Sequence, residues 1–112
     1  MKEKTKMFAL AILATTRSIA DNPQSRVLKD QILRSSSSVA ANYRAACRAK
    51  SYRDFIYKLG VVEEEADETL FWLEILEESG IMRKEEVQVL MKENVEILAI
   101  VVASIKTAKS KI

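Results

Sequence analysis

The sequence predicts an all-α protein that folds as an antiparallel up-and-down four-helix bundle. Helix breakers are scarce, with two glycines and one proline in 112 residues, whereas alanine, leucine, glutamate and lysine are frequent. Apolar residues recur at steps of three and four over four long stretches, and turn-forming residues separate these stretches. A chain of this length forms one domain, residues 1–112, which buries roughly two-thirds of the surface of the unfolded chain.

The first two helices are separated by a helix-breaking triplet. The first helix is predicted over residues 4–20 from an apolar stripe that comprises Phe8, Ile12, Thr15 and Ile19. Asp21-Asn22-Pro23 ends it, because Asn22 suits an N-cap and Pro23 suits the first position of a following helix. The second helix is therefore predicted over residues 23–48.

Four consecutive serines lie inside the predicted second helix without breaking its periodicity. The stripe that runs through them comprises Leu28, Ile32, Ser35, Val39, Asn42 and Ala46. We interpret these serines as small helical residues that admit a close neighbouring helix and bond the carbonyl one turn back. Asn42 is polar on a stripe that should be buried. It is either a residue that fixes packing register, which we favour, or a ligand-binding amide.

The third helix is predicted over residues 51–78, with Ser51 as its N-cap and Gly80 as the left-handed residue after its end. Only two or three residues connect it to the second helix, which favours an antiparallel hairpin. Its core stripe comprises Phe55, Leu59, Val62, Ala66, Thr69 and Leu73. Gly60 costs about 1 kcal/mol against alanine inside a helix, so it predicts a close helix contact.

The fourth helix, predicted over residues 84–106, is apolar around most of its circumference. Three short companion helices cannot cover such a helix, so the sequence predicts a homo-oligomer. The predicted interface residues are Val95, Leu98, Ile100, Val101, Val102 and Ile105. Asn94 lies on the same apolar stripe and is predicted to be a buried polar residue that fixes register at that seam.

Three segments resemble one protein family. They are R-S-S-S-S-V-A-A-N-Y-R from Arg34 to Arg44, D-F-I-Y-K-L-G from Asp54 to Gly60, and E-E-A-D-E-T-L-F-W-L-E from Glu64 to Glu74. They are similar to the bacterial four-helix-bundle proteins related to those encoded in intervening sequences of 23S ribosomal RNA genes. The accessory protein of diversity-generating retroelements is a more distant cousin. The resemblance implies a barrel-like homopentamer associated with nucleic acid. Many relatives carry glutamate where this chain has Ala45, so any role of that carboxylate is lost here.

Glu68 is the acidic residue that the resemblance singles out. In the family, a glutamate at this place packs toward the helix that carries the asparagine. This implies a contact of Glu68 with Asn42 or with an arginine, for architecture rather than chemistry. The alternative is a plain surface carboxylate, like Glu63 and Glu64 on the same helix.

Composition excludes most catalytic chemistry. Histidine is absent, so the chain cannot build a Ser-His-Asp triad, a Cys-His pair, a histidine zinc site or a Glu-x-x-His di-iron site. No enzyme, cofactor or metal is therefore expected. The lone Cys47 is interpreted as a packing residue, and a single cysteine fits a reducing cytoplasm. No apolar run reaches about 18 residues, so no membrane span is expected.

Charge is divided unequally along the chain. Residues 1–60 hold twelve Lys or Arg and four acidic residues, a net of +8, whereas residues 61–112 hold six and twelve, a net of −6. The predicted hairpin between the second and third helices has basic residues with tyrosines interleaved. These candidate nucleic-acid-binding residues are Arg44, Arg48, Lys50, Arg53, Tyr43 and Tyr52. The alternative is a protein–protein scaffold without nucleic-acid binding, which the acidic second half favours because carboxylates repel phosphate.

Overall fold

A computed structural model describes all 112 residues and contains four α-helices joined by short turns. The helices are α1 (Lys2–Thr16), α2 (Pro23–Ala46), α3 (Tyr52–Glu78) and α4 (Lys84–Lys109). α1 packs against α2 and α4, and α3 packs against the same two helices. The bundle measures 48 Å by 20 Å by 20 Å. The prediction of an all-α, up-and-down four-helix bundle is confirmed.

Each helix contributes one buried stripe to a single core. The largest fully buried apolar side chains are Phe8, Ile12, Ile32, Val39, Leu59, Val62, Leu73, Leu76, Val87, Ile97 and Val101. Within each helix successive members lie three, four, seven, ten or eleven residues apart, which are spacings of one helix face, so the apolar pattern of the sequence becomes the core.

Local side-chain caps set the starts of α2 and α3. The side chain of Asn22 accepts a hydrogen bond from the backbone N–H of Ser25 at 2.9 Å. The hydroxyl of Ser51 accepts one from the N–H of Asp54 at 3.1 Å. Both bonds satisfy an N–H that has no partner within its helix. After α3, Gly80 has φ +79°, the left-handed conformation that glycine adopts without strain.

α1 ends four residues earlier than the predicted boundary at Ala20. The hydroxyls of Thr15, Thr16 and Ser18 donate to backbone carbonyls of the preceding turn. The N–H groups of Ser18 and Ile19 bond carbonyls three residues back, which tightens the last turn. Ile19 nevertheless remains buried in the core. At the other ends, α2 is two residues shorter and α4 three residues longer than predicted.

Two residues of the serine run pack as the sequence predicts, whereas Ser37 is exposed and Ser38 is half-buried. Ser35 and Ser36 are fully buried, and their hydroxyls donate to the carbonyls of Ile32 and Leu33 at 3.3 and 3.5 Å. Across the interface, Ser35 Oγ and Thr69 Oγ1 lie 2.9 Å apart. Small side chains thus bring α2 and α3 close and join them by a buried hydroxyl pair.

The predicted close contact at Gly60 is absent. A Cβ atom at Gly60 would meet no atom of another helix within 4 Å. The absence of a side chain at this position is therefore not required by any neighbouring helix.

α1 is too short to cover the whole length of α4. Lys4, near the start of α1, forms an ion pair with Glu96 at 3.0 Å. α4 continues to Lys109, so its last thirteen residues, about 20 Å of helix, extend past this point. No helix has both the length and the apolar composition needed to cross a membrane.

Candidate nucleic-acid interface

The hairpin between α2 and α3 presents four cationic side chains to solvent. Arg44 lies in the last turn of α2, Arg48 and Lys50 follow it, and Arg53 lies in the first turn of α3. All four residues are exposed, and none forms an ion pair with a carboxylate. Their charges are therefore free to attract an external anion.

Asp54 is the one acidic residue of this hairpin, and local donors neutralise it. Its Oδ2 accepts a hydrogen bond from Lys58 Nζ at 3.0 Å and from the backbone N–H of Lys50 at 3.2 Å. These bonds, led by the one from Lys58, hold the pKa of Asp54 below its usual value. Asp54 thus fixes the hairpin and leaves the arginines unpaired.

The start of α1 adds cationic residues that the sequence analysis did not include. Lys2 and Lys6 line a groove of about 570 Å³ between α1 and α2, together with the carboxylate of Glu3, and Arg44 lies at the same groove. The floor contains Ala9, Ala40 and Ala41. The up-and-down order of the helices predicts this proximity, because it places the start of α1 beside the end of α2.

The end of α4 brings a third basic segment to the same end of the bundle. Lys106 and Lys109 lie in the last turn of α4, and Lys111 follows. Lys111 lines a groove of about 450 Å³ together with Tyr52 and Phe55 from the start of α3. In an up-and-down bundle of four helices, the last helix ends beside the turn between the second and the third. The predicted number of helices could therefore have predicted this contact between distant segments.

The two predicted tyrosines have different environments. Tyr43 is half-buried against the core, and burial raises the pKa of its hydroxyl, with a further contribution from the neighbouring Cys47 thiol. Tyr52 is 52% exposed. Tyr57, which was not among the predicted site residues, is 71% exposed and lies one turn after Arg53. Of these three rings, Tyr52 and Tyr57 are free to meet a ligand.

Asn42 differs from the prediction of a buried register residue. It is half-buried, and its amide donates to the backbone carbonyl of Ser38 at 2.9 Å and to the Ser38 hydroxyl at 2.8 Å. Both bonds stay within α2, so the amide contacts no polar group on another helix. A side chain that makes its hydrogen bonds one turn back in its own helix needs no partner on another helix.

Glu68 joins α2 to α3 through an arginine. Its Oε2 accepts a hydrogen bond from Trp72 Nε1 at 3.0 Å and pairs with Arg34 Nη2. Arg34 also reaches Glu65 at 3.1 Å. The bonds from Trp72 and Arg34 lower the pKa of Glu68. Of the two contacts that the resemblance implies, the structure contains the arginine one, and Glu68 is half-buried rather than buried.

Asn94 is the buried polar residue of α4, but it lies at the contact between two helices of the same chain. It is fully buried, and its amide nitrogen donates to the carbonyl of Ala66 on α3 at 2.9 Å. The amide oxygen has no hydrogen-bond partner. Asn94 thus fixes α4 against α3 and not against a second subunit.

The predicted interface residues of α4 divide into two groups. Val101 is fully buried in the core, and Leu98 and Ile105 pack against that core. Val101 therefore belongs to the interior of the chain, which corrects the prediction for this residue, because α4 packs against α3. Leu98 and Ile105 are only half-buried, so their place in an interface stays a prediction. The other three, Val95, Ile100 and Val102, remain exposed.

The fold and this site define a class: a four-helix-bundle protein with a cationic end and an acidic third helix. The model of the 23S rRNA-intervening sequence protein family matches residues 1–103. The chain therefore belongs to this family. It is also similar to a protein of unknown function from the S23 ribosomal protein family of Bacteroides thetaiotaomicron, whose crystal structure is known. The two are 34% identical over 94% of this chain and 97% of the other, with a TM-score of 0.88. No curated protein matches the chain.

Proposed function

We propose that this chain is a non-enzymatic, oligomeric accessory protein that associates with RNA or DNA through its cationic end. The observation that carries the proposal is the set of exposed cations without carboxylate partners on the α2–α3 hairpin. Segments from α1 and α4 add further lysines beside it. Arginine suits this role, because its planar guanidinium can pair a phosphate through two hydrogen bonds.

The names of the relatives support RNA as the first ligand to test. The family is named for intervening sequences of 23S rRNA, and the similar crystal structure carries the name of a ribosomal protein family. No defined nucleic-acid-recognition module is present in the helical fold. Binding is accordingly expected through the phosphate backbone, with weak sequence preference.

Oligomerisation is the second part of the proposal. Val95, Ile100 and Val102 leave apolar surface exposed along α4, and the family resemblance implies five copies. A ring would repeat the cationic end several times and raise the effective concentration of the basic residues at a bound strand.

The test is binding of labelled RNA and duplex DNA at two salt concentrations, measured by gel shift or fluorescence anisotropy. If the oligomer engages 6–10 phosphates, affinity should fall by about 10³ to 10⁵ between 50 and 200 mM salt. The double variant Arg44→Glu with Arg48→Glu should abolish binding, because it replaces two cations of the hairpin by carboxylates that repel phosphate. The variant should still fold, because both side chains point away from the core. Its mass in solution should equal that of the wild type.

A matched control separates the site from the net charge. Arg17→Glu with Lys84→Glu changes the net charge by the same amount at two exposed positions of the opposite end of the bundle. This control should retain binding. Equal loss in both double variants would show a general charge effect, and wild-type protein that binds neither probe at 50 mM salt would refute the proposal.

A protein–protein scaffold is the second candidate function. The outer face of α3 favours it, because exposed carboxylates surround Phe71, which is 50% exposed. The exposed acidic residues of α3 are Glu63, Glu64, Asp67, Glu74 and Glu78. This face repels phosphate but suits a basic protein surface, so a protein that fails to bind nucleic acid would leave the scaffold as the function.

A further inference from the structure

The most exposed of the large apolar side chains on this protein is a tyrosine ring that the fold does not use. Tyr57 is 71% exposed, and no hydrogen bond involves its hydroxyl. Aromatic rings normally gain stability by burial, so a ring left in water is available for an external contact.

Tyr57 lies one helical turn after a cation that has no carboxylate partner. It follows Arg53 by four residues, which places the two side chains on one face of α3. Arg53 is exposed and without an ion pair. The nearest acidic residue in the sequence, Asp54, is held by Lys58 at 3.0 Å. The ring thus lies on the same helix face as a guanidinium that has no ion-pair partner.

A second ring lies at the same end of the bundle. Tyr52 is 52% exposed and borders the groove of about 450 Å³ that Lys111 also lines. The rest of that groove is mostly apolar, with Phe55, Ile100 and Ala108 beside the polar Ser104 and Thr107. An exposed ring and a cation thus occur near each other twice. Tyr57 and Arg53 share one face of α3, and Tyr52 and Lys111 line one groove.

We infer that the cationic end binds single-stranded nucleic acid, with Tyr57 and Tyr52 stacking on unpaired bases while Arg53 and Lys111 contact phosphates. This inference rests on the proposed function and adds the class of ligand to it. Phosphates are present in every nucleic acid, but the faces of bases are accessible to a side chain only where the strand is unpaired. A purely electrostatic site would have no use for exposed rings.

The experiment compares one labelled 20-nucleotide single strand with the duplex of the same sequence at 50 mM salt, by fluorescence anisotropy. Wild-type protein should bind the single strand more tightly than the duplex. Tyr57→Leu should weaken single-strand binding about tenfold, the order of one lost stacked base, and leave duplex binding unchanged. The salt dependence should be unaltered, because no phosphate contact is removed. Tyr57→Phe should behave as the wild type.

Phe71 supplies a matched control on the same helix. It is a similarly exposed ring, but its surroundings are acidic, so Phe71→Leu should change neither affinity. Equal wild-type affinity for single strand and duplex would overturn the inference while the proposed function stands. Tyr57→Leu could also weaken binding of both the single strand and the duplex, or give a smaller mass by light scattering. Either result would assign the ring to an interface between copies and would overturn the inference. Wild-type protein that binds neither probe would refute the proposed function together with the inference.

Discussion

Gly60 lies inside α3 with space around it for a side chain. A Cβ there would meet nothing within 4 Å, and its φ is not positive. Glycine in a helix interior loses more conformational freedom on folding than alanine does. Gly60→Ala should therefore stabilise the protein by about 0.5–1 kcal/mol, measured by urea unfolding monitored by circular dichroism.

Gly80 is the control for this prediction, because its φ of +79° requires glycine. Gly80→Ala should destabilise the protein by about 1 kcal/mol. If Gly60→Ala also destabilised it, some contact outside the single chain, such as a second subunit, would have to approach Gly60 closely.

At the scale of single residues, sequence and structure disagree where a polar side chain makes its hydrogen bonds within its own helix. Asn42 keeps the helical spacing of a core residue, yet its amide bonds only to Ser38. Periodicity gives the direction of a side chain, but not the distance to the neighbouring helix. The exposure of Tyr57 was missed for the same reason, since it depends on what packs nearby.

At the scale of elements, Glu68 links α3 to α2 in a charge-dependent way. Its folded pKa lies below the usual value through hydrogen bonds from Trp72 and Arg34. The unfolded chain therefore binds this proton more readily than the folded one. The stabilisation is fully present above the unfolded pKa, about 4.3, and is lost as pH falls through the folded pKa.

Glu68→Gln should accordingly lower the melting temperature at pH 7, by up to about 4 °C because the pair is partly exposed. The difference from the wild type should vanish at pH values well below 4. Glu64→Gln is the control, because Glu64 is exposed and forms no ion pair. A difference between Glu68→Gln and the wild type that persisted unchanged at acid pH would show that packing, and not the charge, carries the effect.

Element boundaries were predictable where one residue sets them. Asn22 and Ser51 cap α2 and α3 through bonds to the third residue along, so local sequence contains the whole interaction. The end of α1 was not predictable in this way. There the hydroxyls of Thr15, Thr16 and Ser18 compete with backbone N–H groups for the helix carbonyls. The order of the helices in the bundle brings the basic segments of α1 and α4 near the hairpin. A count of charges along the sequence does not show which segments are neighbours in the fold.

At the scale of the whole molecule, α4 carries apolar surface that the other helices of a single chain do not cover. Val95 is 51% and Val102 is 45% exposed. Seven residues separate them, so they lie on one line of the helix. Exposed valines at this spacing on a helix are suited to packing against another helix.

Val95→Glu with Val102→Glu should therefore convert an oligomer into monomers while leaving the helical content unchanged, because neither side chain belongs to the core. Light scattering should return 12.7 kDa for this variant and a multiple of it for the wild type, five times this mass for the pentamer. Val101→Glu does not test assembly, since Val101 is fully buried and its substitution would unfold the chain. Val27→Glu with Ile112→Glu alters two other exposed apolar residues by the same charge and should keep the wild-type mass. A wild-type mass of 12.7 kDa at micromolar concentration would contradict the oligomer, and the cationic end would then act with the charges of one chain alone.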